Sequence, residues 1–427
     1  MGEWRNNTLR KIGYTYSGLS GKSAADFGDG LPYIPYMNVF ANTIIDIEFI
    51  EHVNIGIHER QNKVIQGDAL FTTSSETPDE VGMASVLTQN PEEIYLNSFC
   101  FGYRLFNKDG FDSKFLAYLL RSDNVRHQMM ISAQGSTRHN LSKKNFYNTT
   151  IDFPVSIKEQ RKIAEILATV DEAISKTSIL IQKYTNIKAG MMQNLLINGI
   201  DESGVLRSPK THKYKNSSLG CIPVEWDCTT IGEITSKVGS GATPRGGQSV
   251  YLNDGILFIR SQNVSFDGLI LEDVAYISEH MNSVLQRSQL EYNDVLLNIT
   301  GASIGRCCVY DLKQPANVNQ HVCIIRTTLG FDFARFINNW ISMFGQNQIN
   351  ILMAGSNREG LNFNEVKALK LPLIINNDEL RKINNALNSI GEKIQTERNY
   401  LVKLQNIKKG LMQNLLDPNG VSVDALL

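Results

Sequence analysis

A chain of 427 residues exceeds one ordinary hydrophobic core and predicts two to four domains. With 42% hydrophobic and 20% charged residues it reads as a globular protein, and it has no apolar run long enough to span a bilayer. A net charge of -1 excludes a globally basic surface, so any nucleic-acid site has to be a local patch.

The opening "MGEWRNNTLRK" carries no apolar signal region, which makes the cytoplasm the expected location. Residues 1–154 alternate short apolar runs such as "NTIIDIEFI" with Gly, Asn, Asp and Pro, a pattern of short strands and loops. One or two helices interrupt it, most clearly "DSKFLAYLLRSDNVRHQMM". Residues 155–203 differ in kind: Ile157 to Leu196 contains no proline and a single glycine, Gly190, and predicts one long helix. Residues 204–372 return to strands and loops ("GILFIRSQNV", "HVCIIRTT"), and residues 373–427 to a helix from Glu379 to Leu416 broken only by Gly391 and Gly410.

That order is a duplication. "NIKAGMMQNLL" at 186–196 and "NIKKGLMQNLL" at 406–416 share nine of eleven letters at an offset of 220. "EWRNNTLRKI" at Glu3 matches "EWDCTTIGEI" at Glu225, and "YIPYMNV" at Tyr33 matches "FIRSQNV" at Phe258. Further along, "GDALFTT" parallels "NDVLLNIT", "LNSFCFGYRL" parallels "VNQHVCIIRT", and "AQGSTRHNLS" parallels "MAGSNREGLN".

In both helical segments apolar residues recur at alternating steps of four and three. The first series is Ile163, Leu167, Val170, Ile174, Thr177, Ile181, Tyr184, Lys188, Met191, Leu195; the second runs from Ile383 to Leu415 at the 220 offset. Both are broken at the same two places, Thr177 with Glu397 and Lys188 with Lys408, the signature of a coiled-coil seam. The polar pairs either fix register and partner or mark where the seam frays. Helices of about forty residues span roughly 60 Å at about 1.5 Å per residue, and an antiparallel pairing lets each bury its seam against the other.

Signs of catalysis are missing. "GLSGKS" at Gly18 ends like a phosphate loop but has Tyr16 where the first glycine belongs, and the second copy lacks the lysine. No Asn-Pro-Pro-Tyr methyltransferase stretch or carboxylate nuclease motif occurs, and the histidine at His139 has no counterpart in the second copy. The six cysteines show no Cys-x-x-Cys spacing and the seven histidines no ligand spacing, so no metal is expected.

With two globular units each followed by a long helix, the lead-in "GCIPVEW" at Gly220 with Ile222, Pro223 and Trp226, and the repeated "NIKxGxMQNLL" helix ends, the whole chain resembles the specificity subunit of type I restriction-modification systems. The first unit departs from that pattern in lacking the Gly-x-Ile-Pro lead-in before Glu3. The resemblance implies an α+β chain of two homologous mixed α/β target-recognition domains, 1–154 and 204–372. They are separated by two long antiparallel coiled-coil helices within 155–203 and 373–427, with internal pseudo-twofold duplication. It implies a non-catalytic subunit that reads a bipartite asymmetric site in double-stranded DNA, one half per domain. The helices fix the gap and dock two modification (methyltransferase) subunits, with restriction or translocase subunits joining through the complex. No cofactor is expected in this chain; S-adenosylmethionine, ATP and Mg belong to the partners.

Arg favours guanine and Asn or Gln adenine at major-groove edges, while Lys, Ser and Thr suit phosphates. The expected DNA-contacting residues of the first domain are Ser20, Lys22, Tyr36, Asn38, Ser136, Thr137, Arg138, His139, Asn140, Lys143 and Lys144. In the second domain they are Thr243, Arg245, Arg260, Ser261, Gln262, Asn263, Asn319, Gln320, His321, Ser356, Asn357 and Arg358. For partner docking the repeated helix ends offer Lys188, Gln193, Asn194, Lys408, Gln413 and Asn414. Alternatives stay open: Asn38 and Asn263 also suit local turns, and Arg104 and Arg326 can pair with neighbouring carboxylates. Residues 1–156 hold 14 basic and 17 acidic side chains and residues 204–373 hold 15 and 14, so weak, salt-sensitive DNA binding is expected of the isolated chain. A methylation-only or fused restriction system, or a coiled-coil protein adaptor, remain the other readings.

Overall fold

The computed structural model describes residues 3–135, 138–354 and 360–420. It forms two compact units: residues 1–178 with 399–427, and residues 179–398. Compact packing thus cuts through both long helices, where the sequence segments break at the helix ends.

Unit 1 is built on a four-stranded antiparallel sheet in the order Gly13–Ser17, Cys100–Leu105, Ala69–Thr72, Ala84–Val86. A second sheet places Phe27–Ile34 antiparallel to Glu51–Val53 and parallel to Tyr95–Leu96. Trp4–Thr8 pairs with Thr150–Pro154 and closes the unit. Unit 2 repeats these pairings: Thr235–Ser240, Val322–Thr327, Val295–Asn298 and Cys307–Val309 form the four-stranded sheet. Ile256–Ile259 lies between Ala275–Ile277 and Ala316–Val318 with the same senses, and Asp227–Thr230 closes on Lys370–Leu373.

The duplication extends to single turns. Gly67 and Asn293 precede the central strands and both take positive φ, 86° and 76°; Asn293 is the one non-glycine residue so placed among the described residues. A short polar side chain tolerates that conformation where most others do not. The next residue, Asp68 or Asp294, is fully buried and accepts a backbone N–H three residues back, from Ile65 at 3.0 Å and from Glu291 at 2.7 Å. Each carboxylate then takes a forked arginine: Arg104 Nε and Nη2 reach Asp68 at 2.9 and 2.6 Å, and Arg326 reaches Asp294 at 2.8 and 2.7 Å. Arg104 and Arg326 therefore brace the sheets, the second of the two roles open to them.

The first long helix is Ile157–Asn198, 42 residues, and the second Asn377–Leu415, 39 residues. Asn376 Oδ1 caps the second by accepting from Asp378 N and Glu379 N at 3.0 and 3.2 Å. Gly199, at φ 62°, ends the first. Within unit 1 the early residues Ile163, Ala164 and Leu167 share a core with the late residues Leu411, Met412, Leu415 and Leu416. Within unit 2 the late residues Met191, Met192, Leu195 and Leu196 share a core with the early residues Leu380, Ile383 and Leu387. In each unit the two helix halves run antiparallel. The polar seam residues are accommodated singly: Thr177 is buried with its hydroxyl on the Ala173 carbonyl at 2.8 Å, a bond inside its own helix.

Candidate nucleic-acid interface

Segments far apart in sequence meet at one end of each four-stranded sheet. In unit 1, Gly18 N and Leu19 N donate to the carbonyls of Cys100 and Leu96 at 3.3 and 2.8 Å, which ties the glycine-rich loop to the 97–100 turn. Thr73 N donates to Phe99 O at 3.0 Å, Leu141 N to Thr73 O at 3.1 Å, and His139 pairs with Ser75. Tyr36 Oη adds a bond to Ser74 O at 3.2 Å. Loops around residues 18–23, 73–75, 97–100 and 138–141 thus form one cluster.

Unit 2 assembles the same cluster. Gly241 N donates to Asn319 O at 3.1 Å, Ile299 N to His321 O at 3.0 Å, and Leu361 N to Ile299 O at 2.8 Å. A Cβ at Gly18 or Gly241 would meet the carbonyl of Asn97 or Val318, so these glycines permit close backbone approach. Their role is loop packing rather than phosphate cradling. In unit 2 the cluster is cross-linked by side chains: Thr243 Oγ1 donates to Gln320, Gln320 Nε2 lies 3.0 Å from His321 Nε2, and His321 Nδ1 lies 2.5 Å from Thr300 Oγ1. The imidazole is held at both nitrogens.

The surface-exposed candidates are Ser20, Arg138, Asn140, Lys143, Lys144, Thr243, Arg245, Gln262 and Gln320, with His139, Tyr36, Ser261 and His321 half-buried. Lys143 and Lys144 open the helix Lys143–Asn148, whose N-cap Ser142 accepts from Asn145 N at 3.2 Å. Ser20 bonds Gln61 through its backbone at 3.1 and 2.8 Å. Ser136, Thr137, Ser356, Asn357 and Arg358 lie outside the described residues.

Several expected contacts are corrected. Asn38 is fully buried: its amide donates to Asp46 O and Phe49 O at 2.7 and 2.6 Å and its Oδ1 accepts from Asp46 N at 3.1 Å. Asn263 is likewise buried, donating to Ile270 O at 2.9 Å and accepting from Arg260 N at 3.0 Å. Both are loop organisers with no capacity left for a base. Asn319, also buried, holds its turn by accepting from His321 N at 3.1 Å. Lys22, 3% exposed in its side chain, is spent on Asn54 O at 2.6 Å and on Glu59. Arg260 is spent on Asp273, through its carbonyl at 2.6 Å and its carboxylate at 3.5 Å, and Gln262 bonds that same carboxylate at 2.8 Å.

One residue escaped the sequence reading. Phe99 is 62% exposed in the unit 1 cluster, its N–H fixed by Asn97 Oδ1 at 2.8 Å. Its counterpart is His321, whose N–H is fixed by Asn319; the alignment of "LNSFCFGYRL" with "VNQHVCIIRT" carried that signal.

At the helix ends Gln193, Asn194, Gln413 and Asn414 are exposed. The two asparagines make the same bond, to Gly190 O and Gly410 O at 2.8 Å each. Gln413 also reaches Asp123 at 2.9 Å and Lys408 reaches Asp171 at 2.6 Å, so both are engaged within unit 1. Among the described residues no group of His, Cys, Asp and Glu could hold a metal ion, and no helix is long and apolar enough to cross a membrane.

Residues 24–182 match the family model for the type I restriction modification DNA specificity domain, and that span includes most of the unit 1 cluster. The chain is similar to the type I restriction-modification specificity subunits. Among its relatives is the specificity subunit of the type I restriction enzyme MjaVIII of Methanocaldococcus jannaschii, 25% identical over 70% of this chain and 69% of that one. The MjaIX specificity subunit of the same organism is 22% identical over 74% and 71%, and the EcoBI specificity subunit of Escherichia coli 24% over 48% and 44%. In fold, the S subunit of the type I system from M. genitalium superposes with a TM-score of 0.61 at 15% identity, covering 97% of this chain and 96% of that one. A chain from a structural study of type I complex assembly and conformational transition gives 0.53 at 15% identity, covering 98% of each. Sequence recognition of DNA, not catalysis, is the part such a subunit plays.

Proposed function

We propose that each loop cluster reads one half of a bipartite, asymmetric DNA site and that the two long helices set the gap between the halves. The observation that carries this reading is the duplication of one polar loop cluster on two matching sheets, with different side chains at equivalent positions. Phe99 against His321 is one case. Equivalent scaffolds with different loop chemistry suit two different half-sites.

In unit 1, Arg138, Lys143 and Lys144 supply phosphate or guanine contacts, and Asn140 and His139 supply base-edge bonds. In unit 2, Arg245, Thr243 and Gln320 do so, while His321, with both ring nitrogens taken by Thr300 and Gln320, holds the network in place. Rigid donors and acceptors lose little freedom on binding, which favours discrimination between bases. The repeated helix ends, with exposed Gln193, Asn194, Gln413 and Asn414, dock two copies of a modification subunit. S-adenosylmethionine, ATP and Mg act on the partner subunits, and the restriction or translocase subunits join through them. Because neither domain is basic, DNA binding by the free chain is weak and salt-sensitive, and the docked subunits supply the rest of the affinity.

Deleting four residues from both long helices tests the gap. One turn removed is about 6 Å, near two base-pair steps, so the gap shortens by about two base pairs while the half-site letters stay the same. Altered letters at an unchanged gap would refute the helices as spacers.

A further inference from the structure

Gly190 and Gly410 stand inside the two long helices, and neither has a positive φ that would call for glycine. Glycine is the poorest helix former after proline, so each weakens the helix that holds it. Packing within the chain does not account for them: a Cβ built at either position would meet no atom within 4 Å. Gly391, the remaining glycine of these helices, has Asp171 at the 220-residue offset, so descent from a common copy does not by itself keep a glycine.

The surroundings of the two glycines are kept with them. At about 100° per residue, Lys183, Asn186, Ile187, Gln193 and Asn194 lie within about 60° of Gly190 on the helix. All six letters recur from Lys403 to Asn414. The four that differ between 183–194 and 403–414 are Tyr184 with Leu404, Thr185 with Gln405, Ala189 with Lys409 and Met191 with Leu411, and all lie off this face. In both copies the glycine is half-buried and the other five residues are exposed, Ile187 and Ile407 by 40% and 42%. Asn194 and Asn414 bend back onto the glycine carbonyls by matching bonds of 2.8 Å.

The charge of the faces is of one sign. Residues 183–194 hold two lysines and residues 403–414 three, with no Asp or Glu in either stretch. In unit 1 Asp123 reaches the edge of the face through Gln413 at 2.9 Å, yet the letters on the face are unchanged. In unit 2 Gly190 and Asn194 also line a groove of about 520 Å³ with Met191, Leu195 and Ala386, where Lys382 is the one charged residue among the described residues. An apolar centre, amides around it and lysine at the rim complement an element that is apolar and acidic.

We propose that a helix of the modification subunit crosses each face at its glycine, at Gly190 in unit 2 and at Gly410 in unit 1. Its backbone lies against the missing side chain, closer than the about 8–10 Å at which helices ordinarily pack. It sets an apolar residue on Ile187 or Ile407 and a carboxylate toward Lys183 or Lys403. This rests on the docking reading above and names its contact points, because two identical copies need two identical faces.

The test uses the full chain co-expressed with its modification subunit, with bound copies counted by native mass spectrometry and their dissociation titrated at low and high salt. Gly190→Leu and Gly410→Leu each put a bulky side chain into open space on a helix that leucine favours. The free variants are expected to melt at or above the parent. Each single variant should weaken one bound copy by about tenfold or more, and the double variant both. Lys183→Glu with Lys403→Glu should also weaken both copies, the loss shrinking at high salt. Two copies bound with parental affinity in either double variant would overturn the proposal. So would a leucine variant that melts below the parent, since the chain itself would then need the glycine. A double leucine variant that keeps both copies and loses DNA binding would overturn it as well, assigning the face to phosphates. A parent chain that binds no copy would instead overturn the docking reading itself.

Discussion

Glu379 is the buried carboxylate on which the start of the second long helix is fastened, and its removal should be costly. It is 4% exposed and accepts four bonds: two from the Arg207 guanidinium, one from Trp226 Nε1 at 3.2 Å and one from Ile200 N at 3.0 Å. Glu379→Ala leaves Arg207 charged in a site where its side chain is 6% exposed, with only Glu225 remaining at 3.9 Å. Breaking a buried pair from one side costs about 3–5 kcal/mol, and Glu225 moves the expectation to the low end, about 3 kcal/mol. For a unit of roughly two hundred residues that lowers the melting transition by about 6–12 °C. Calorimetry on the full chain reads it, with Arg207→Met/Glu379→Leu alongside, because replacing both charges by apolar groups is often neutral. The double variant should recover most of the loss. A single variant that melts within about 2 °C of the parent would refute the argument that this pair fastens the helix.

Asp68→Asn removes the acceptor shared by Arg104, Tyr16 and the Ile65 backbone, and should lower unit 1 stability by about 2–4 kcal/mol in a denaturant titration; Asp294→Asn should act equally on unit 2. Burial pushes the thiols of Cys100, Cys308 and Cys323 up to about 12 and that of Cys307 well above its ordinary value, so at pH 8 these four carry almost no thiolate. Maleimide should therefore label Cys221 and Cys228 on the native chain and the other four only on unfolding, as mass spectrometry of labelled peptides would show. Replacing exposed Lys143 and Lys144 together by Gln should weaken DNA binding of the assembled complex and reduce its log-salt slope by about 1–2, while the methylated sequence stays the same. His321→Ala should relax the sequence read by unit 2 alone, because the ring ties Thr300 to Gln320 and its loss loosens the unit 2 cluster.

The duplication, the long antiparallel helices and the strand-rich character of both globular units were legible because they rest on periodicity and self-similarity. The position of the loop cluster was legible only in outline. Sequence pattern marks a polar loop but not the direction in which a side chain points. Asn38 and Asn263 looked like base-readers by type, yet each spends its whole hydrogen-bonding capacity on carbonyls and N–H groups of its own loop. Lys22 suits a phosphate and Arg260 a guanine edge by residue type, yet Glu59 and Asp273, distant by 37 and 13 residues, claim them. Phe99 was passed over because an aromatic in a strand-like run is ordinarily core. The grouping of each helix end with the other copy's domain was equally hidden: Leu415 shares a core with Phe115 and Leu196 with Trp226, a grouping that no local pattern announces.

The most direct measurement is single-molecule sequencing of methylated adenines in cells expressing this chain with its methyltransferase partner, repeated after exchanging residues 204–372 for the second recognition domain of a relative. The account predicts a split asymmetric motif with a fixed gap, in which the exchange replaces one half and leaves the other half and the gap intact. A motif that is continuous, or one in which both halves change together, would contradict two independent readers on one scaffold.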